Sequence, residues 1–107
     1  MQTKPLDNKT IKRLRQIAHH LDPVVSVGDQ GISEPLIAET ERALHDHELI
    51  KVKIHSEDRQ NRKLLGGRLA EACQAEVIQT IGKITVLFRR NPQPNPKLSN
   101  LSRFGGQ

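Results

Sequence analysis

The stretch Pro23-Val24-Val25-Ser26-Val27-Gly28-Asp29-Gln30-Gly31-Ile32-Ser33 narrows the choice of fold more than any other part of the chain. β-Branched residues after a proline predict a short buried strand. Ser33 predicts a helix N-cap, with Pro35 in the first turn, where no intrahelical donor is lost. Ile32 and Ile37 are spaced to pack across that cap. Between strand and helix lies a Gly-x-x-Gly loop. Its glycines allow positive φ and a close backbone approach by a partner. The free N–H groups at a helix start attract anions, and phosphate is the obvious one. The same spacing also suits a plain tight turn, so the loop alone does not decide function.

On either side the patterning continues to alternate between helix and strand. Asn8 to Leu21 reads as an amphipathic helix capped by Asp7 or Asn8 and ended by Asp22-Pro23. Ile11, Leu14, Ala18 and Leu21 share one face with Ile17 at its edge; Lys9, Lys12, Arg13, Gln16, His19 and His20 occupy the other. That basic face is either a solvated surface or part of an RNA footprint. A second helix runs from Glu34 to His47, with Leu36, Ile37, Thr40, Ala43, Leu44 and His47 toward the core. His45 and His47 point to different faces, so they read as helix-end histidines and not as a metal pair. In Leu49 to His55, Ile50, Val52 and Ile54 alternate with Lys51, Lys53 and His55. Those lysines either face an anionic partner or protect a strand edge.

Ser56 or Asp58 caps a third helix reaching about Gln74, with Leu65, Leu69, Ala72 and Cys73 expected inside and Arg59, Arg62, Lys63 and Arg68 making it partly basic. Gly66-Gly67 either bends this helix or lets its backbone pack closely on the sheet. Glu76 to Ile81 and Ile84 to Arg89 form a hairpin around Gly82-Lys83, which suits a type II′ turn. The expected fold is therefore α/β, one compact domain of order α-β-α-β-α-β-β over residues 1–90. The remainder, 91–107, holds Pro92, Pro94, Pro96, Gly105 and Gly106 with no acidic residue, and is expected to be a flexible basic tail.

With 107 residues, 17 Lys plus Arg against 12 Asp plus Glu and a formal charge of +5, the chain suits an anionic partner, either nucleic acid or an acidic membrane surface. Two Phe and no Trp or Tyr argue against a stacking platform for single strands and against an aromatic sheet surface. Contact through the nucleic-acid backbone and shape remains. Cys73 alone supports neither an internal disulfide nor a cysteine zinc site, and it suits a reducing compartment. No apolar run follows Met1-Gln2-Thr3-Lys4-Pro5, so no leader or membrane segment is expected and the cytoplasm is the expected location. Phosphate-loop, zinc-hydrolase and nucleophile-elbow motifs are absent from the sequence, and no carboxylate pair is set up for acid–base work. The expectation is a protein that is not an enzyme, with no cofactor, metal or small-molecule substrate.

Three stretches resemble one family: Leu21-Asp22-Pro23-Val24-Val25-Ser26-Val27-Gly28 with Gly31 following, His47-Glu48-Leu49-Ile50-Lys51-Val52-Lys53, and Ile81-Gly82-Lys83 leading to Leu87-Phe88-Arg89. In that order of elements they resemble the CRM-domain family in its bacterial stand-alone, YhbY-like form, over about Leu6 to Arg90. Phe88 stands where the family commonly has Tyr, and the Pro-rich ending exceeds the usual one. The resemblance implies a four-stranded mixed sheet packed with helices, similar to the C-terminal domain of translation initiation factor three. It implies an RNA-binding module, linked in bacteria to precursors of the large ribosomal subunit. The loop resembles the one with which KH domains clamp a sugar-phosphate backbone. Here that role falls to Gly28, Asp29, Gln30 and Gly31, with Asp29 a departure from a basic loop, so the clamp depends on backbone N–H groups. Lys12, Arg13, Lys51, Lys53, Lys83 and Arg89 are expected to hold phosphates around it. The functional expectation is a monomeric assembly factor on ribosomal RNA of the pre-large subunit. The alternative is a general RNA chaperone or translation regulator. A third possibility, a small enzyme holding a nucleotide in the glycine loop, is distinguished by saturable mononucleotide binding.

Overall fold

The structure, a computed structural model, describes residues 6–104. The expectations placed on Met1–Pro5 and on Gly105-Gly106 lie outside the described residues. The chain forms α1 (Asn8–Ala18), β1 (Pro23–Val27), α2 (Glu34–His47), β2 (Leu49–Ile54), α3 (Arg59–Ala72), β3 (Glu76–Ile81), β4 (Ile84–Phe88) and α4 (Asn100–Phe104). The strands make one mixed sheet in the order β1-β2-β4-β3. β1 pairs parallel with β2, which requires a crossover, and α2 is that crossover. The β2–β4 and β3–β4 pairs are antiparallel.

Each of the first three helices starts where a side chain takes up an orphan donor. Asp7 Oδ1 accepts from Thr10 N at 2.8 Å, Ser33 Oγ from Leu36 N at 3.3 Å, and Asp58 Oδ1 from Gln60 N at 3.0 Å. Thr10's hydrogen bonds hold the Asp7 carboxyl below its ordinary pKa. α1 ends at Ala18, short of the expected Leu21. His20 N and Leu21 N close on the carbonyls of Ile17 and Ala18 three residues back, which tightens the chain before Pro23.

The alternation of the strands divides the core into two layers. Val25, Val27, Ile50, Val52, Ile54 and Leu87 face α2 and α3, where Leu36, Leu44, Leu69 and Ala70 complete a cluster. Leu49, Ile78, Val86 and Phe88 face the opposite side, against Leu14, Ile17 and Ala18 of α1. Ile17 is thus fully part of the buried stripe and not at its edge. On α3 the inner face is Gly66, Leu69, Ala70 and Cys73, at helical spacing; the expected Ala72 is exposed. The question posed by Gly66-Gly67 resolves in favour of close packing. A Cβ on Gly66 would lie 3.1 Å from Thr85 Oγ1, whereas one on Gly67 would meet nothing within 4 Å. α3 runs through both glycines without interruption.

The segment expected as a flexible tail docks on the domain at Asn91 and from Ser99 to Phe104, while Pro92 to Leu98 between them are exposed. Ser99 and Asn100 are buried, and Leu101 and Phe104 pack against the α1-side cluster. Ser99 Oγ donates to Glu48 Oε1 at 2.7 Å, Asn91 N donates to Glu48 Oε2 at 2.7 Å, and Asn100 Nδ2 donates to the Leu49 carbonyl at 2.7 Å. Glu48 follows α2 at φ +64, a backbone conformation that turns the chain directly into β2 and holds the carboxylate under the returning segment. The tail's composition is that of a loose end, but its hydrogen-bonding groups find partners about fifty residues earlier in the chain, and Leu101 and Phe104 reach the cluster against α1.

Candidate nucleic-acid interface

The Gly-x-x-Gly loop leaves the sheet at the C-terminal end of β1. It is closed by Gly31 N donating to the Gly28 carbonyl at 3.0 Å, and Gly31 sits at φ +69. A Cβ on Gly28 would meet nothing within 4 Å, so its backbone is open to an incoming group. Asp29 and Gln30 are exposed on the tip. His55 N donates to the Val27 carbonyl at 2.9 Å, which ties the end of β2 beside the loop.

Lys51 and Lys53 stand on the same side of the sheet as Leu49, the side packed by α1. In register they lie opposite Val86 and Ile84 of β4, and Lys53 also lies opposite Ser26 of β1. β2 is paired on both sides, so these lysines are not edge protection. α1 covers only the Leu49 end of this face. Beyond it a groove of about 470 Å³ opens between helix and sheet, floored by Ile84 and Val86 and walled by Lys12, Arg15, Lys51 and Gln79. Lys12 and Lys51 are therefore brought together. Arg13 is exposed but does not line the groove.

Lys83 lies in the β3–β4 turn, where its carbonyl accepts from Ile54 N at 2.7 Å, so it too is beside the end of β2. Its ammonium pairs with Glu57 Oε2 at 2.9 Å. That hydrogen bond and charge hold the Glu57 carboxyl below its ordinary pKa. Glu57 is 91% exposed, and such a pair opens readily to a competing phosphate. A second cleft of about 480 Å³ adjoins this turn, lined by Arg59, Arg62, Lys63, Thr80 and Gly82. Arg62 is fixed there, its Nε donating to the Gly82 carbonyl at 2.9 Å and its Nη1 to the Ser56 carbonyl at 2.8 Å.

Arg89 stands apart. It follows β4, whose antiparallel course puts it at the end of the sheet away from the glycine loop. Its Nη1 donates to the Cys73 carbonyl at 2.9 Å and lies 3.4 Å from Glu41 Oε2, so the guanidinium links the C-terminal end of α3 to the middle of α2. Cys73 is buried beneath it. Desolvation first, then Glu41, pushes the thiol pKa up, with Arg89 pulling the other way.

Sequence reasoning missed Arg15, Gln79 and the apolar floor as parts of a site. The 12, 15, 16, 19 spacing on α1 was readable as one helical flank. The aim of Gln79 was not, because it depends on the register shift between Val77 and Gln79 in β3. That bulge puts Ile78 into the α1-side core while Gln79 still lines the groove.

The family described as the CRS1/YhbY (CRM) domain has a model that matches residues 6–89. A Pseudomonas aeruginosa protein named a probable RNA-binding protein is 46% identical over 95 residues, covering 89% of this chain and 91% of that one. A Haemophilus influenzae protein named RNA-binding protein is 41% identical over 93 residues, covering 87% and 94% respectively. The solution structure of a hypothetical protein from Staphylococcus aureus matches this fold with a TM-score of 0.74 at 34% identity, over 83% of this chain and 93% of that one.

Proposed function

The chain belongs to the CRS1/YhbY (CRM) domain family, and on that premise we propose that it binds structured RNA as a non-enzymatic factor in assembly of the large ribosomal subunit. The observation that carries the RNA reading is the grouping of Lys53, Lys83 and the open Gly28 backbone at one end of the sheet, with Lys51 further back on the same face of β2. Cations from a strand and a turn stand there beside a loop that a sugar-phosphate backbone can approach closely. Lys12 extends the same surface along α1. Contacts of this kind hold phosphates and position the protein, and they weaken with salt. An assembly factor must leave its site, and a screenable interface suits that. The relatives' names supply the nucleic acid; the ribosomal setting rests on the family resemblance.

The test is a gradient of cell extract at low magnesium. The protein is expected with large-subunit precursors and absent from polysomes. Sedimentation with polysomes would favour a translation regulator. Retention at the top of the gradient in every condition would remove the ribosomal assignment.

A further inference from the structure

We propose that the groove between α1 and the sheet receives one unpaired base of the bound RNA, so that the protein distinguishes bulged or looped RNA from continuous duplex. This rests on the RNA-binding reading above and goes beyond it, because phosphate contacts alone make no such distinction.

The groove has the size and chemistry for it. At about 470 Å³ it falls in the range of roughly 300–1,000 Å³ usual for clefts that hold small organic ligands. Its floor is aliphatic, from Ile84 and Val86, and Ile81 at its mouth is 62% exposed, extending that apolar floor to the surface. Lys12, Arg15 and Lys51 stand on its walls, and no carboxylate lines it. An anion with a flat apolar portion matches that distribution of charge. A nucleotide is such an anion, with its phosphate on the cationic rim and its base on the aliphatic floor. The amides of Gln16 and Gln79 face the same space and supply both donors and acceptors for a base edge.

Position supports the same occupant. Lys51 lines the groove, and Lys53, two residues along the same strand and on the same face, leads toward the glycine loop. A backbone clamped at Gly28 can pass Lys53 and deliver the next nucleotide toward Ile84, which lies directly opposite Lys53 in the β2–β4 register. A base paired within a duplex cannot enter, because its edge is occupied and both its faces are stacked. The scarcity of aromatic residues does not oppose this arrangement, since burial of a base against aliphatic side chains needs no stacking partner.

The experiment compares two RNAs of equal length, a continuous duplex and the same duplex carrying a three-uridine bulge, by direct titration at one salt concentration. The bulged RNA is expected to bind about tenfold tighter. A double variant, Gln16→Ala with Ile81→Ala, alters two groove positions outside the core. It is expected to reduce the preference to within twofold while leaving duplex affinity and its salt dependence unchanged. With 4-thiouridine in the bulge, the photocrosslink is expected on α1, β3 or β4, elements that line the groove. Equal affinity for the two RNAs, or a crosslink confined to the glycine loop, would overturn the base-pocket inference and leave the phosphate-clamp reading standing. Failure to bind either RNA would overturn both.

Discussion

Ser99 donates its hydroxyl to Glu48 Oε1 at 2.7 Å, across 51 residues of sequence, and both residues are buried. With Asn91 N on the other carboxylate oxygen, this bond fastens the C-terminal segment to the junction of α2 and β2. Ser99→Ala leaves Oε1 without that donor. The expected cost is about 1–3 kcal/mol, the usual penalty for orphaning a buried polar group. In a domain of this size that lowers Tm by several degrees, roughly 4–8 °C per kcal/mol. Hydrogen exchange should accelerate at the Arg103 amide, which bonds to the Ser99 carbonyl, more than at amides of the central strands. Unchanged protection at Arg103 would mean that the segment is held by its other contacts, the Asn100–Leu49 bond and apolar packing, without need of Ser99.

Gly66 and Gly67 are neighbours on α3 with opposite prospects. Gly67→Ala adds a methyl group in open space and restricts the unfolded chain, so it should raise stability by about 0.4–1 kcal/mol. Gly66→Ala gains the same propensity but pushes a methyl to 3.1 Å from Thr85 Oγ1 and 3.3 Å from its Cγ2. Thr85 is buried in a strand paired on both sides and has little freedom at χ1. Gly66→Ala should therefore lower Tm, and thermal unfolding of the two variants side by side checks the sign of each.

The difference between these glycines marks where sequence reading ends. Ser33 and Pro35 located the start of α2, and the alternation of Ile50, Val52 and Ile54 located the buried face of β2, because those signals are local. Which glycine of a pair touches the sheet depends on how the helix is rotated, and that is decided by Leu69, Ala70 and Cys73 finding the core together. The docked C-terminal segment was illegible for a similar reason. Five residues make a helix too short to announce itself, and Ser99 and Asn100 become core residues only because Glu48 and the Leu49 carbonyl lie opposite them. Within the candidate site, Lys51 and Lys53 were readable from period-two alternation. Their partners in the groove come from α1, β3 and β4 and needed the topology.

The glycine loop offers a test that separates its two roles. Gly31 sits at φ +69, so Gly31→Val is expected to weaken RNA binding and also to strain the turn. Gly28 has no positive φ and open space around its missing side chain. Gly28→Ala should leave folding stability within about 0.5 kcal/mol of the parent, as for a neutral surface change, while reducing RNA affinity severalfold by keeping a phosphate from the backbone. Full affinity in Gly28→Ala would return the loop to service as a turn.

On the proposed interface, Glu57 would compete with RNA for Lys83. Its carboxyl is held below the ordinary range by Lys83, so it stays charged through neutral pH and well into acid. The pair's contribution to stability is present above the unfolded carboxyl pKa and is lost as pH falls through the lower folded value. Glu57→Gln removes a negative charge and frees the ammonium. RNA affinity at neutral pH should rise by a few fold, more at low salt than at high salt. An affinity that stays the same or falls would place Lys83 outside the contact surface.

Lys51 and Lys53 carry the most specific quantitative expectation. If about 4–6 phosphates are neutralised on binding, the slope of log affinity on log salt should be roughly −3 to −5. Replacing both lysines with glutamine keeps a polar, hydrogen-bonding side chain but removes two phosphate contacts. The slope should become shallower by about two, close to one per lysine removed. Both residues project from an interior strand on the side away from the α2 and α3 cluster, so the fold should survive and far-ultraviolet circular dichroism should be unchanged. Arg89→Gln is the matching control. Its guanidinium is bonded to Cys73 and Glu41 at the other end of the sheet, so this change should lower Tm without altering the slope. A slope that responds to Arg89 and not to Lys51 and Lys53 would move the RNA to the opposite end of the sheet.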